Sequence, residues 1–403
     1  MGQGPDNKDV ALEPQTSGDS LKFPSRSIAN APGEMRILAK EAYLHPEATS
    51  QLNRISKLPG VLLAVGMPDL QPGPSGAAIV SRDVIYPALI GGDIGCGMSL
   101  SSLSISPKIK LEKAVRTLER AGLDDVWDGD HKEFLAARGV TLSGFEQALG
   151  TIGGGNHFAE LQTFHQIIGR DALNAAGVNI DRALLLVHSG SRGFGQSTLD
   201  NFKRDFKGQG CDPAGSVGRN YLEQHTHAVD WAKANRALIA DRFAEGLGAE
   251  SKPIVDLSHN FVTSKEVNGE LHWIHRKGAS PADPGLIVIP GSRGSFTYIV
   301  KANGTCDQSA NSLAHGAGRK IGRSDCEEKI SKRFSHEELK RTELRSLVIC
   351  HDKTLLYQEA PAAYKDIKSV ISDLERCGLI QVVAVLKPLI TYKTSSESFD
   401  GEG

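Results

Sequence analysis

Thirteen histidines are spread along the 403-residue sequence, and four of them share one setting. His157 lies in Gly-Gly-Gly-Asn-His-Phe-Ala-Glu, His188 in His-Ser-Gly-Ser-Arg-Gly, His259 in Ser-His-Asn and His315 in Ala-His-Gly-Ala-Gly-Arg. A fifth segment, Gly91-Gly-Asp-Ile-Gly-Cys-Gly97, sets Asp93 and Cys96 three residues apart between glycines. In each, a metal-capable or nucleophilic side chain stands where an apolar run meets a Gly, Ser or Asn turn. A side chain so placed is held by a sheet while its loop opens toward a cleft. A single histidine beside glycine is usually a hydrogen-bonded core or surface residue, and a single buried cysteine behaves as a small hydrophobe. Repetition across five segments is what raises these residues above that background.

Asp93, Cys96, His157, His188 and His259 together offer one oxygen, one sulfur and three nitrogen ligands. Because a thiolate can bridge two ions, this set could hold a pair of divalent metals with open positions for substrate. Mixed O, N and S ligation leaves Mn, Zn, Co and Fe all open. His315 differs, because glycines and an arginine follow it. That setting suits phosphate: backbone N–H groups can approach closely, a guanidinium can pair with oxygens, and a neutral imidazole nitrogen can attack phosphorus. A second small-residue loop, Pro290-Gly291-Ser292-Arg293-Gly294, follows a predicted strand and could also cradle phosphate. The remaining histidines (45, 131, 165, 225, 227, 272, 275, 336 and 351) lack the glycine-turn setting and read as structural or surface groups, with His275 the strongest exception.

Alternating strands and helices must carry these loops. Apolar runs at Val61–Val65, Val84–Ile90, Ala183–Val187, Pro253–Leu257, Leu286–Ile289 and Ile380–Leu386 have strand length. Leu111, Val115 and Leu118 mark a helix ending at Gly122, a long helix is predicted over 219–245, and Ile367, Val370, Ile371 and Leu374 mark another closed by Gly378. The segment 327–345, dense in Lys, Arg and Glu, reads as a solvated helical face. Residues 1–30 are polar and rich in Pro, Gly and Ser, and are predicted to be disordered. Residues 31–393 form the catalytic domain and 394–403 a polar tail. The fold expected is α+β, a single catalytic domain of mixed sheets and helices.

Bulk properties exclude more than they indicate. Hydrophobic residues make up 39% and charged residues 23%, the ordinary globular range. No apolar run has the length of a membrane span, and no secretory leader is evident, so no membrane partner and a cytoplasmic location are expected. The six cysteines form no CxxC pair, which argues against a disulfide scaffold. With 46 Lys plus Arg against 48 Asp plus Glu, nucleic-acid binding would need a local basic groove.

Read in order, GGDIGCGM, GGGNHFAEL, HSGSRG, SHN, HRKGA (275–279), IPGSRG, AHGAGR and EAPAAYKDI (359–367) resemble the signature blocks of the RtcB RNA ligases, from about residue 58 to Lys393. The resemblance implies Asp93, Cys96, His157, His188 and His259 as ligands of two Mn2+ ions bridged by Cys96, and His315 as the histidine that carries GMP. It places Asn156, Glu160, Asn260, Pro290, Gly291, Ser292, Arg293, Thr297, Gly316, Ala317, Gly318 and Lys393 at the nucleotide, with Lys393 on guanine. It implies GTP as cofactor and, as substrate, RNA bearing a 3′-phosphate or 2′,3′-cyclic phosphate and a 5′-hydroxyl end. Cyclic ends would first be hydrolysed to 3′-phosphates. RNA repair or tRNA processing would be the setting, with room for a ribosome-associated or activating protein partner.

Four departures point to a divergent bacterial branch. Gln71 stands where the family usually has His, Arg293 where Met is common, the chain is short between the third and fourth ligands, and ten residues follow Lys393. The rival readings are a dinuclear-metal phosphoesterase or nuclease, which would not need His315 or Lys393, and a non-catalytic RNA-binding protein, which would be betrayed by a missing ligand.

Overall fold

The computed structural model describes residues 32–206, 209–283, 285–304 and 306–394. The disorder expected for 1–30 and nearly all of the polar tail lie outside the described residues. Two twisted sheets and one ribbon make up the frame. The smaller sheet runs β1 (Glu34–Ile37), β2 (Val61–Gln71), β3 (Ser75–Arg82), β9 (Glu270–Lys277), β8 (Asn260–Val267), all antiparallel except β1 on β2. The larger runs β11 (Ile287–Pro290), β12 (Thr297–Ala302), β15 (Ile380–Tyr392), β5 (Phe158–Ile167), β6 (Leu184–Ser189), β4 (Gly97–Leu103), β7 (Ser251–Ser258). In it β14 (Leu347–Ile349) adds in parallel to the end of β15. β10 (Ala279–Pro281) and β13 (Ser312–Ala314) form the ribbon. The α+β class and the single-domain architecture agree with the sequence.

The chain crosses from the larger sheet to the smaller at a single residue, His259, between β7 and β8. Its backbone N–H donates to the Cys96 carbonyl at 2.7 Å and its carbonyl accepts from Ala279 at 3.1 Å. The seam between the sheets therefore runs through the candidate ligands.

Behind the larger sheet lies the helix Ser216–Gly246. Buried Tyr221, His225, Ala228, Ala232, Asn235 and Ile239 recur every three or four residues, the spacing that keeps one face on a sheet. That face packs on β4, β6 and β7. Trp231 and Phe243 are wholly buried, each worth roughly 1.5–3 kcal/mol of apolar burial. At Gly95 (φ +75°) the loop before β4 passes so close that a Cβ would lie 2.8 Å from Val229 Cα and from Ala232 Cβ of this helix.

The helix also sends two buried polar side chains into the sheet. Arg236, fully buried, donates through Nε to Asp256 Oδ1 (2.9 Å) and through Nη1 to the carbonyls of Gly95 (2.7 Å) and Ser189 (3.0 Å). Asn235 accepts from Gly150 N–H (2.7 Å) and donates to Ser189 Oγ (3.1 Å) and the Gly190 carbonyl (3.2 Å).

Most predicted elements appear within a few residues. Val84–Ile90 does not become a strand: Ile85 makes one bridge to Cys211, and Pro87–Leu89 turns as a 3-10 helix. Pro87 has no N–H for a ladder, and its fixed φ favours the turn. The charged segment near 327–345 forms helices Arg323–Ser331 and His336–Leu339, with exposed pairs Lys329–Asp325, Lys332–Glu328 and Lys340–Glu337, as a solvated face should. No helix among the described residues is long and apolar enough to cross a membrane.

Arg236→Met is expected to destabilise the fold by about 3 kcal/mol, because Asp256 and two loop carbonyls lose their donor. Denaturant unfolding checks this, and an unchanged midpoint would contradict the clamp.

Candidate active site

Strand order explains the meeting of residues far apart in sequence. In the run β5-β6-β4-β7, Gly97 pairs with both Ser189 and Ser258, and His188 pairs with both Phe158 and Met98. Cys96, His157, His188 and His259 therefore fall at one edge of adjacent strands. His188 and His259 leave the ends of strands, whereas Cys96 and His157 precede theirs. Antiparallel neighbours make these the same edge.

The ligand atoms converge as two triads that share the sulfur: Asp93, Cys96 and His157, and Cys96, His188 and His259. Cys96 Sγ lies 3.4 Å from His157 Nε2 and 3.1 Å from His188 Nε2. His188 Nε2 faces His259 Nε2 at 3.3 Å, and His157 Nε2 lies 2.8 Å from Asp93 Oδ2. Nitrogens, sulfur and carboxylate pointing at common centres fit a pair of divalent cations.

Tautomer and charge agree with that use. His188 Nδ1 donates to the Asn156 carbonyl at 3.2 Å, which leaves the Nε2 lone pair for the centre. Burial, reinforced by neighbouring imidazoles, holds His188 and His259 well below the usual histidine range and therefore neutral. Burial, then the Asp93 carboxylate, pushes the Cys96 thiol up, so a bound cation is what would favour the thiolate. Burial opposes ionisation of Asp93, but His157 outweighs it and holds the carboxyl below its ordinary value.

His315 stands beside this cluster, after β13. Its ring centroid is 4.6 Å from that of His259 and 6.5 Å from that of His188. Asp69, wholly buried in β2, accepts through Oδ2 from both the backbone N–H (3.1 Å) and Nδ1–H (2.7 Å) of His315. The ring is thereby fixed with Nε2 carrying the lone pair, as a nucleophile needs. Lys365 braces Asp69 from behind, donating to the carbonyls of Pro68 (2.9 Å) and Leu70 (2.8 Å). Gly318 (φ +69°) passes directly over Asp69, where a Cβ would lie 2.1 Å from the Asp69 carbonyl oxygen.

A cavity opens from His315 and His188. Asn156, Glu160, the 290–293 loop, Gly316–Gly318 and Lys393 line it. Two predicted nucleotide residues stand one layer back. Asn260 braces the loops, donating to the Asp93 carbonyl (3.1 Å) and accepting from Gly278 N–H (2.7 Å). Thr297, in β12, accepts from Gln162 (2.9 Å), which also donates to Glu160 (2.6 Å). Burial pushes the Glu160 carboxyl up to about 7, against the pull of Thr391, Gln162 and Lys393.

Lys393 is 3% exposed, not a tail residue on the surface. Its ammonium donates to the His157 carbonyl (2.8 Å) and lies 3.6 Å from Glu359. The arginine of the His-Gly-Ala-Gly-Arg run departs from expectation. All three nitrogens of Arg319 are bonded within the protein, to Glu359 (2.9 Å), the Gln358 carbonyl (2.7 Å) and the Ile321 carbonyl (3.2 Å) among others. It braces the loop rather than standing open to phosphate.

Sequence reasoning assigned no role to Asp69, Arg236, Asn235 or Glu359. Asp69 stands two residues before Gln71 and Glu359 opens Glu-Ala-Pro-Ala-Ala-Tyr-Lys, and neither has a glycine-turn setting. His225 holds backbone, as expected, and so does His275, the residue the sequence sets apart as the strongest exception. His225 accepts from Val262 N–H (3.1 Å) and His275 from Tyr86 N–H (2.9 Å).

Comparison with known proteins gives the family. The family described as tRNA-splicing ligase RtcB matches residues 131–394. The chain is 41% identical over 363 residues to an RNA-splicing ligase RtcB2 of Escherichia coli, covering 89% of this chain and 95% of that protein. The chain belongs to the RtcB family. More distant relatives of this RtcB chain include the RNA-splicing ligase RtcB of Escherichia coli K12 (26% identity, 93% of this chain and all of that protein). Another is the tRNA-splicing ligase RtcB of Methanococcus maripaludis (26%, 87% of this chain and 92% of that protein).

The wild-type RtcB chain is expected to hold two divalent ions and Cys96→Ala to lose at least one, since the sulfur belongs to both triads. Elemental analysis after gel filtration measures this. Two ions retained by the variant would show that the sulfur is not shared.

Proposed function

We propose that this RtcB family member is an RNA ligase, dependent on GTP and Mn2+, that joins RNA 3′-phosphate ends to 5′-hydroxyl ends through a histidine–GMP intermediate on His315. The observation that carries this reading is the imidazole of His315, held by Asp69 with Nε2 free and standing 4.6 Å, ring to ring, from His259 of the ligand cluster. A phosphoesterase would have no use for a second, non-ligating histidine so oriented.

Asp93, Cys96 and His157 would hold one cation and Cys96, His188 and His259 the other, and bound cations would supply positive charge to phosphate oxygens and to the departing pyrophosphate. His315 Nε2 attacks the α-phosphorus of GTP. The N–P bond forms as the bond to pyrophosphate breaks, and Asp69 keeps the Nδ1 proton in place and stabilises the charge that grows on the ring. The backbone of Gly316–Gly318 can lie close to the phosphates, because no side chain but the Ala317 methyl intervenes. An oxygen of the RNA 3′-phosphate then takes the GMP, breaking the N–P bond and restoring the imidazole. Last, the 5′-hydroxyl oxygen attacks the activated 3′-phosphorus; GMP leaves with the bonding electrons, and the hydroxyl proton is released. Glu160 and Lys393, on the cavity wall, offer acceptor and donor groups complementary to guanine.

Incubation with α-labelled GTP and Mn2+ tests the central step. Wild-type protein is expected to retain acid-labile label and His315→Ala to retain none. Asp69→Asn, which leaves the ligands intact, should label 10- to 100-fold more slowly. Label on the His315→Ala protein, or cleavage of RNA ends with no need for GTP, would count against the ligase.

Nucleotide affinity should also depend on pH. Only an ionised Glu160 carboxylate can accept from both the N1–H and N2–H groups of guanine, and burial pushes its pKa up to about 7. GTP binding is therefore expected to weaken as pH falls through neutrality and to level off above it. Calorimetric titration across the neutral range checks the trend, and Glu160→Gln should flatten it.

A further inference from the structure

Behind His315, one buried lysine reaches both pieces that fix the ring. Lys365 is 6% exposed and stands just before the helix Ile367–Arg376. Its ammonium donates to the carbonyls of Pro68 (2.9 Å) and Leu70 (2.8 Å), on either side of Asp69. Its backbone N–H donates to the Gly318 carbonyl (3.0 Å), in the loop that follows His315. Burying an ammonium against carbonyls alone costs more than burying a neutral donor, so the charge calls for a partner.

Asp69 is that partner and needs one itself. Its side chain is wholly buried; Oδ2 accepts from the backbone N–H and Nδ1–H of His315, and Oδ1 has no partner among the described residues. Burial disfavours a carboxylate, and a cation in reach offsets that. His315 cannot be the cation, since an imidazolium has no lone pair to offer phosphorus. Lys365 lies within electrostatic reach of Asp69, whose one salt-bridge partner among the described residues is His315. The other carboxylate facing Lys365, Asp373, is taken up by the backbone N–H groups of Lys40 (2.8 Å), Glu41 (2.9 Å) and Ala42 (2.9 Å). Were Asp69 neutral, its carboxyl could donate to Nδ1 and leave the ring proton on Nε2, the tautomer that cannot attack.

Resting on the reading of His315 as the residue that carries GMP, we propose that Lys365 is a positioning residue for that histidine. Its positive charge, acting through Asp69, keeps the ring proton on Nδ1 and leaves Nε2 open to the α-phosphorus. Lys365 lies outside the cavity lining and touches no substrate in this role.

The rate of labelling by α-labelled GTP, followed from acid to mildly alkaline pH, tests the assignment. Full-length wild type, Lys365→Met and Lys365→Arg are compared at saturating GTP, so that the pH dependence of nucleotide binding drops out. Lys365→Met keeps the length of the side chain without its charge. Its loss of rate at acid pH should set in about one pH unit or more above that of wild type, because a carboxylate that loses a nearby cation is harder to ionise. Lys365→Arg restores a charge and should bring the profile back toward wild type. In wild type the rate should also decline as pH rises through about 8, where Lys365 loses its proton; burial lowers it to that value against the pull of Asp69 and Asp373. A brace without an electrostatic role would slow Lys365→Met equally at every pH, and that result overturns the proposal. So does a wild-type rate that stays level through about 8, an arm that needs no variant to fold. Failure of wild type to take label at any pH would sink the ligase reading itself. Normal labelling with an unmoved profile in Lys365→Met would sink only the role of Lys365.

Discussion

A single buried guanidinium holds the ligand loops in register. Arg236 reaches from the long helix to the carbonyls of Gly95 and Ser189 and to Asp256, and so touches the loop of Cys96, the strand end of His188 and the strand leading to His259. Loop carbonyls at strand ends have no ladder partner and would otherwise need water. By meeting them with one rigid, always charged fork, the helix fixes where three loops end and hence where their ligand atoms point. Asn235 extends the same clamp to the 150–151 turn and Gly190. The metal-capable atoms lie 3.1–3.4 Å apart, and the packing behind them fixes those separations.

The second constraint is charge balance around the cavity. Glu359, fully enclosed, is the shared counter-ion for Arg319 and Lys393. Burial resists its ionisation, yet Lys393 and Arg319 hold its carboxyl below the usual range. Counted over the whole lining, Arg293, Arg319, Arg323 and Lys393 face two carboxylates, Glu160 and Glu359. Such a local excess of positive charge would suit a ligand bringing oxygen acceptors and negative charge, even in a chain whose net charge is near zero.

Much of this was legible in the residues. The five candidate ligands, the candidate nucleophile and the lining loops lie at Gly, Ser or Asn turns, where tight backbone geometry leaves a visible pattern. Periodicity placed the long helix and most strands. Asp69 and Arg236 left no such pattern: Asp69 is an isolated charge in an apolar strand, Arg236 is one of several charged residues along a long helix, and the partner lies 246 positions away for Asp69–His315 and 141 for Arg236–Gly95. Arg319 was misread for a related reason. A guanidinium beside glycines suits phosphate equally well whether or not Glu359, 40 positions on, has already taken it up.

The sequence by itself determined the chemistry available: an O, N and S ligand set, an imidazole among glycines, and the family to which they belong. Residue type and local spacing suffice for that, since they set which atoms can bind or attack. Tertiary structure alone decided which of those atoms meet and in what state. The shared sulfur, the Nδ1–Asp69 bond that frees Nε2 and the occupied donors of Arg319 all depend on strand order and burial. Hydrogen bonds and desolvation act over a few ångströms of space, whatever the distance along the chain.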